Sequence, residues 1–137
     1  MNLKKWCRLY CLLAGACDAT TGLLLAIAPL WTLRLMKIPV MPTEPVYMSF
    51  IGAFVAGVGL AYFHPFVFTP AARRDQRLEG VLAATTVVRA AIAVFVVTAV
   101  MRGGLHPAWL TVAGSDAVMA ALQTVMLKRR VLAEHDA

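Results

Sequence analysis

Hydrophobic residues fall in four long runs along this chain, and short segments between the runs hold most of its charge. The runs cover residues 6–29, 46–63, 81–101 and 108–127. Each has roughly the 20 residues that an α-helix needs to cross about 30 Å of hydrocarbon. The pattern predicts an all-α fold, an integral membrane four-helix bundle that forms a single transmembrane domain over residues 1–137.

The segment between the first two runs has a different pattern. Residues 31–40 read WTLRLMKIPV, in which Arg34 and Lys37 lie three positions apart among apolar side chains. This spacing is typical of a short amphipathic helix that lies along the bilayer surface. Pro39, Pro42 and Pro45 then prevent a long helix from continuing. We therefore expect a short interfacial helix between spans 1 and 2.

Small residues recur along one side of the second run. Gly52 and Ala56 lie four apart, as do Ala53 and Gly57. Such pairs let the backbones of two membrane helices approach closely. The second span is therefore expected to pack tightly on a neighbouring helix.

The composition supports a membrane protein. Of 137 residues, 61% are hydrophobic, whereas a soluble domain has roughly 45–50% apolar residues. The formal charge is +6. Its basic residues flank the apolar runs, so we interpret them as topology signals and as contacts to anionic membrane lipids. Nucleic acid is not an expected partner, because no basic patch lies on a soluble element.

The distribution of Lys and Arg predicts the orientation. The N-terminal segment, the second connector and the C-terminal tail hold three each, whereas the first connector holds two and the third holds one. The more basic side of a membrane protein faces the cytoplasm. Both termini are therefore predicted to be cytoplasmic.

Three charged residues lie inside the apolar runs, namely Asp18, Arg89 and Asp116. A charge at the bilayer centre costs roughly 2.5–3.5 kcal/mol on insertion scales, so it usually faces a partner or a cavity. All three lie roughly 16–18 Å from the same predicted cytoplasmic face, at about 1.5 Å per helical residue. We expect them to share one level near the midplane, with Arg89 against one or both aspartates.

Other polar residues extend this predicted charge layer. Thr21 shares a helix face with Asp18, and Gln123 shares one with Asp116, because positions three, four and seven apart lie together. Thr85 lies one turn before Arg89 and is expected to help hold it. Glu44 lies just outside the second span. We favour a solvated position near a helix N-terminus, and the alternative places Glu44 at the mouth of a pocket.

The charge layer has two interpretations. It is either a buried ion pair that fixes the helix register, or a polar pocket for a ligand headgroup or a proton. The sequence contains no phosphate-binding glycine loop, HExxH or nucleophile elbow, so it identifies no cofactor. The three cysteines, all in the first span, are interpreted as small hydrophobic residues. No metal site is predicted.

The order of features resembles the DoxX-like superfamily of small bacterial four-helix membrane proteins. The resemblance rests on the proline-bounded first connector, Glu44, the segment FIGAFVAGVGLAY at residues 50–62, and Arg89 in the third span. It implies a four-helix bundle in the bacterial inner membrane and a role near quinones or respiratory redox partners. Asp18 and Asp116 are not part of this pattern.

Three functions are open at this point. The favoured one is an accessory or binding protein for a lipid-soluble small molecule, a lipid or a quinone, or one that docks on a larger membrane complex. The second is a membrane isomerase or reductase acting on a lipid or isoprenoid. There, Asp18 and Asp116 would serve as acid and base, and Arg89 would stabilise negative charge. The third is a proton-coupled transporter, which at this size would need a homo-oligomer.

Overall fold

The computed structural model describes residues 2–133, and it confirms the predicted fold class. The described chain is helical and contains no strand. All four long helices are apolar and long enough to cross a membrane, so the protein is a multi-pass membrane bundle. The α-helices are α1 (Leu3–Ile27), the short α2 (Pro29–Leu35), α3 (Pro45–Phe68), α4 (Ala71–Met101) and α5 (Leu110–Lys128), and a 3-10 turn (Pro107–Trp109) precedes α5.

Helical structure extends from both sides into the polar connector at residues 64–80. Helix α3 continues through Pro65 to Phe68, and α4 begins at Ala71, ten residues before the apolar run. The segment AARRDQRLEG is charged but rich in strong helix formers, and its charge does not oppose helix formation in water. Only Thr69 and Pro70 separate the two helices.

Helices α1 and α3 form the closest pair, which we call the α1/α3 seam. A Cβ added to Gly22 would lie 2.1 Å from the Ala56 nitrogen, and one added to Gly59 would lie 2.2 Å from the Ala19 nitrogen. A Cβ on Gly52 would lie 2.4 Å from the nitrogen of Ala26. The two backbones therefore touch directly, as small residues allow.

Only one of the two predicted small-residue pairs lies in this seam. Gly52 and Ala56 are buried, whereas Ala53 and Gly57 are exposed. A Cβ added to Gly57 would meet nothing within 4 Å. The prediction of close packing is correct for the first pair and wrong for the second.

Helices α4 and α5 form the second pair, and side chains join it to the first. At one end of the bundle, Asp75 of α4 accepts two hydrogen bonds from Arg8 at 2.8 and 2.7 Å and lies 3.0 Å from Lys4 Nζ. The buried core beside this ion pair includes Cys7 and Cys11, both free thiols. At the opposite end, α2 and the segment after it bury a small apolar cluster of Leu25, Leu33 and Ile38.

Candidate functional site

The three intramembrane charges meet at the centre of the bundle. Arg89 Nη1 donates to Asp116 Oδ1 at 2.6 Å, and Arg89 Nη2 donates to Asp18 Oδ2. The arginine comes from α4, while the aspartates come from α5 and α1. The Arg89 guanidinium therefore binds one aspartate from the α4/α5 pair and one from the α1/α3 pair at the same time. We call these three residues the charge triad.

The triad is largely shielded within the bundle. The exposed side-chain fractions are 8% for Arg89, 18% for Asp18 and 12% for Asp116. A planar guanidinium can hold two carboxylates in a fixed geometry, which lysine cannot. The formal charges sum to −1, and Arg89 Nε has no hydrogen-bond partner among the described residues. The two terminal nitrogens supply the bonds that make burial of these charges tolerable.

A second polar cluster surrounds the fully buried Gln123. Its Nε2 donates to Tyr62 Oη at 2.6 Å and to Tyr10 Oη at 2.9 Å. Its Oε1 accepts from Thr86 Oγ1 at 2.9 Å, and Tyr62 Oη donates to Thr85 Oγ1 at 2.9 Å. These side chains, which we call the Gln123 network, come from α1, α3, α4 and α5. The network joins all four long helices.

The predicted partner of Thr85 is wrong. Its hydroxyl lies 2.8 Å from the Val81 carbonyl and bonds with Tyr62, and it makes no hydrogen bond to Arg89. On a helix, a threonine hydroxyl readily bonds to the carbonyl four residues earlier, which turns it away from the next turn. Gln123 likewise bonds tyrosines and threonines rather than Asp116.

Two other predicted site residues lie outside both clusters. Thr21 is half-buried and makes no side-chain hydrogen bond within residues 2–133. Glu44 is exposed at the N-cap position of α3, without a side-chain cap. It lies 15 residues before Gly59, whose added Cβ would lie 2.8 Å from the Asp18 carbonyl carbon. Glu44 is thus about 22 Å along the helix from the triad level.

Sequence reasoning missed the tyrosines and Thr86. Tyr62 is fully buried, and Tyr10, half-buried, also lies 3.4 Å through its hydroxyl from Met119 Sδ. A buried tyrosine hydroxyl usually finds a partner. One feature of the sequence could have indicated this network. Tyr62 lies at the predicted cytoplasmic end of an otherwise apolar span, and Gln123 lies near the same end of another span.

Two clefts lie beside these clusters. The larger, which we call the α3/α4 cleft, has a volume of about 630 Å³ and lies between Ala61, His64 and Pro65 on α3 and the 73–85 stretch of α4. It reaches Thr85 and so touches the Gln123 network. The smaller, about 430 Å³, lies between α4 and α5. None of the three charge-triad residues lines either cleft.

Within residues 2–133, no group of three or more His, Cys, Asp or Glu side chains is placed to hold a metal ion. Comparison of the chain with protein-family models, with curated proteins and with solved structures gives no match. The DoxX-like resemblance therefore stays a prediction.

Proposed function

We propose that this protein is an accessory or binding protein of the bacterial inner membrane that holds a lipid-soluble amphiphile, a lipid or a quinone. The observation that carries the proposal is the α3/α4 cleft. Its volume of about 630 Å³ falls within the roughly 300–1,000 Å³ typical of small-molecule sites. Half of its lining residues are small and apolar and half are polar or charged, which suits a molecule that has an apolar body and a polar end.

The charge triad has a different role in this proposal. Both terminal nitrogens of Arg89 already donate to carboxylates, so a ligand there would first have to displace an internal ion pair. We therefore assign the triad to joining the two helix pairs. The ligand site lies beside it, where Thr85 connects the cleft with the Gln123 network.

The enzyme alternative gains no support from this geometry. An acid–base pair needs a cavity that reaches both carboxyl groups. Asp18 and Asp116 are each paired with Arg89, and neither aspartate lines the α3/α4 cleft or the smaller cleft. The binding role uses the cleft that is present, and the DoxX-like resemblance agrees with a quinone as one class of ligand.

A cleft-filling variant tests the proposed function. A Cβ added to Gly80 would meet nothing within 4 Å, although Gly80 lines the α3/α4 cleft. Gly80→Leu should therefore fill the cleft without disturbing the fold. The matched control is Gly114→Leu, which also meets open space but lines the smaller cleft. Native mass spectrometry of protein purified in mild detergent should show a bound amphiphile in the wild type and control, and its loss from Gly80→Leu.

The proposed binding function is wrong if the wild type carries no amphiphile, or if Gly80→Leu retains as much amphiphile as the control does.

The orientation belongs to the same proposal, with both termini and the Thr69–Pro70 connection in the cytoplasm. Alkaline phosphatase fused at that connection should be inactive, because the enzyme requires an oxidising compartment to form its disulfides. An active fusion would show that the orientation is the opposite of the one proposed.

A further inference from the structure

The charged residues at the start of α4 differ in whether the protein neutralises them. Asp75 is paired with Lys4 and Arg8 of α1, and the Arg74 guanidinium lies 5.6 Å from the centre of the Phe66 ring. Arg73 and Arg77 line the α3/α4 cleft, and both are exposed. Within the described part of the chain, neither forms an ion pair or a side-chain hydrogen bond. The cleft therefore has two cations for which the described residues supply no anion.

Arg77 lies at the depth of the lipid headgroups, and Arg73 lies one helical turn farther out. The apolar part of α4 begins at Val81, so Arg77 and Arg73 are four and eight residues outside it. At 1.5 Å per residue, these are distances of about 6 and 12 Å. The headgroup layer extends roughly 5–7 Å beyond each face of the hydrocarbon core, and a long arginine side chain can reach back to it. Residues four apart share one helix face, so both guanidiniums can approach one phosphate.

The wall next to the arginines suits an acyl chain. Gly80, Val81 and Ala84 continue the same stripe of α4, and Ala61 faces them from α3. The cleft thus changes from cationic to apolar along its length, as an anionic phospholipid requires.

We infer that the α3/α4 cleft binds one anionic phospholipid, with its phosphate between Arg73 and Arg77 and an acyl chain along Gly80 and Ala84. This inference rests on the proposed function and specifies the charge of its ligand. Two arginines near an anionic headgroup correspond to about a 30-fold preference over a lipid without net charge. A neutral quinone would not respond to these two residues.

Lipid selectivity in nanodiscs tests the inference. Protein is reconstituted with equimolar phosphatidylglycerol and phosphatidylcholine, and native mass spectrometry measures which lipid stays bound. The double variant Arg73→Gln/Arg77→Gln should lose most of the preference for phosphatidylglycerol, and Arg73→Lys/Arg77→Lys should retain a large part of it. The matched control is Lys128→Gln/Arg129→Gln, which removes the same charge at the same end of the bundle but outside the cleft.

The outcomes separate this inference from the proposed function. If the glutamine variant keeps the full preference, or if the control loses as much, the phosphate site is wrong. The cleft as a binding site still stands in either case if Gly80→Leu empties it. Displacement of the bound lipid by millimolar inorganic phosphate would also overturn the inference, because the cleft would then bind phosphate without the chain.

Discussion

The α1/α3 seam and the junction between the two helix pairs hold the bundle together in opposite ways. In the seam, glycines bring two backbones into direct contact, and an added Cβ at Gly22 or Gly59 would lie 2.1 or 2.2 Å from a backbone nitrogen. At the junction, long polar side chains from all four helices converge on Arg89 and Gln123.

This difference determines what each region tolerates. The seam depends on shape, so it should be damaged by added atoms and unaffected by changes on the outward side of the same helix. The junction depends on paired charges and satisfied donors, so it should be damaged by removed atoms. The seam sets how closely α1 and α3 approach each other. The junction sets how the α1/α3 pair packs against the α4/α5 pair.

The largest expected effect comes from removing the shared cation. Arg89→Met leaves Asp18 and Asp116 without their partner in the bundle. Removing one partner of a buried ion pair typically costs about 3–5 kcal/mol. The free energy of unfolding, measured by denaturant titration in mild detergent with circular dichroism, should fall by that amount. Arg102→Met, at an exposed arginine outside the bundle, should change it by less than about 0.5 kcal/mol.

The seam should respond to a single added methyl group. In Gly22→Ala the new Cβ would lie 2.1 Å from the Ala56 nitrogen, so α1 and α3 must separate. Overpacking of this kind costs about 1–3 kcal/mol, measured by the same titration. Unchanged stability would show that the two helices do not lie this close together.

The Gln123 network should show a smaller effect. Tyr62→Phe removes the hydroxyl that accepts from Gln123 Nε2 at 2.6 Å and donates to Thr85. The amide keeps its bond to Tyr10, so we expect a loss of about 1 kcal/mol in the free energy of unfolding. The control is Tyr47→Phe, because Tyr47 is 63% exposed. Equal losses of unfolding free energy in the two variants would show that the Gln123 network does not stabilise the protein.

The smallest expected effect is a gain on the outward side of α3. A Cβ added to Gly57 meets nothing within 4 Å, and alanine is the better helix former. Gly57→Ala should therefore raise the free energy of unfolding by about 0.5 kcal/mol. A loss comparable to that of Gly22→Ala would mean that the Ala53/Gly57 side of α3 also packs on a helix.

Hydrophobic periodicity and residue depth predicted the architecture because both are local properties of the chain. Four apolar runs predicted four long helices, and counting 1.5 Å per residue placed Asp18, Arg89 and Asp116 at one level. The structure brings these three residues into contact. A charge inside hydrocarbon has few acceptable surroundings, so its position in the sequence is informative.

The remaining features depend on how the helices face one another. Two small-residue pairs in α3 are equivalent in sequence, and only packing shows that Gly52/Ala56 is buried while Ala53/Gly57 is exposed. The partner of Thr85 was wrong for a similar reason, since one turn on the same helix predicts proximity but not hydrogen-bond direction. The α3/α4 cleft arises from the separation of two helices, which no pattern within either helix specifies.

The most direct test of the shared-cation role is a charge-free version of the triad. The triple variant Arg89→Met/Asp18→Asn/Asp116→Asn removes the cation together with both carboxylates, so no buried charge is left without a partner. We expect its free energy of unfolding to recover most of the loss caused by Arg89→Met alone, because residues in one ion-pair network are not additive. If the triple variant is instead as unstable as the sum of its separate substitutions, Arg89 does not join the two helix pairs through these aspartates.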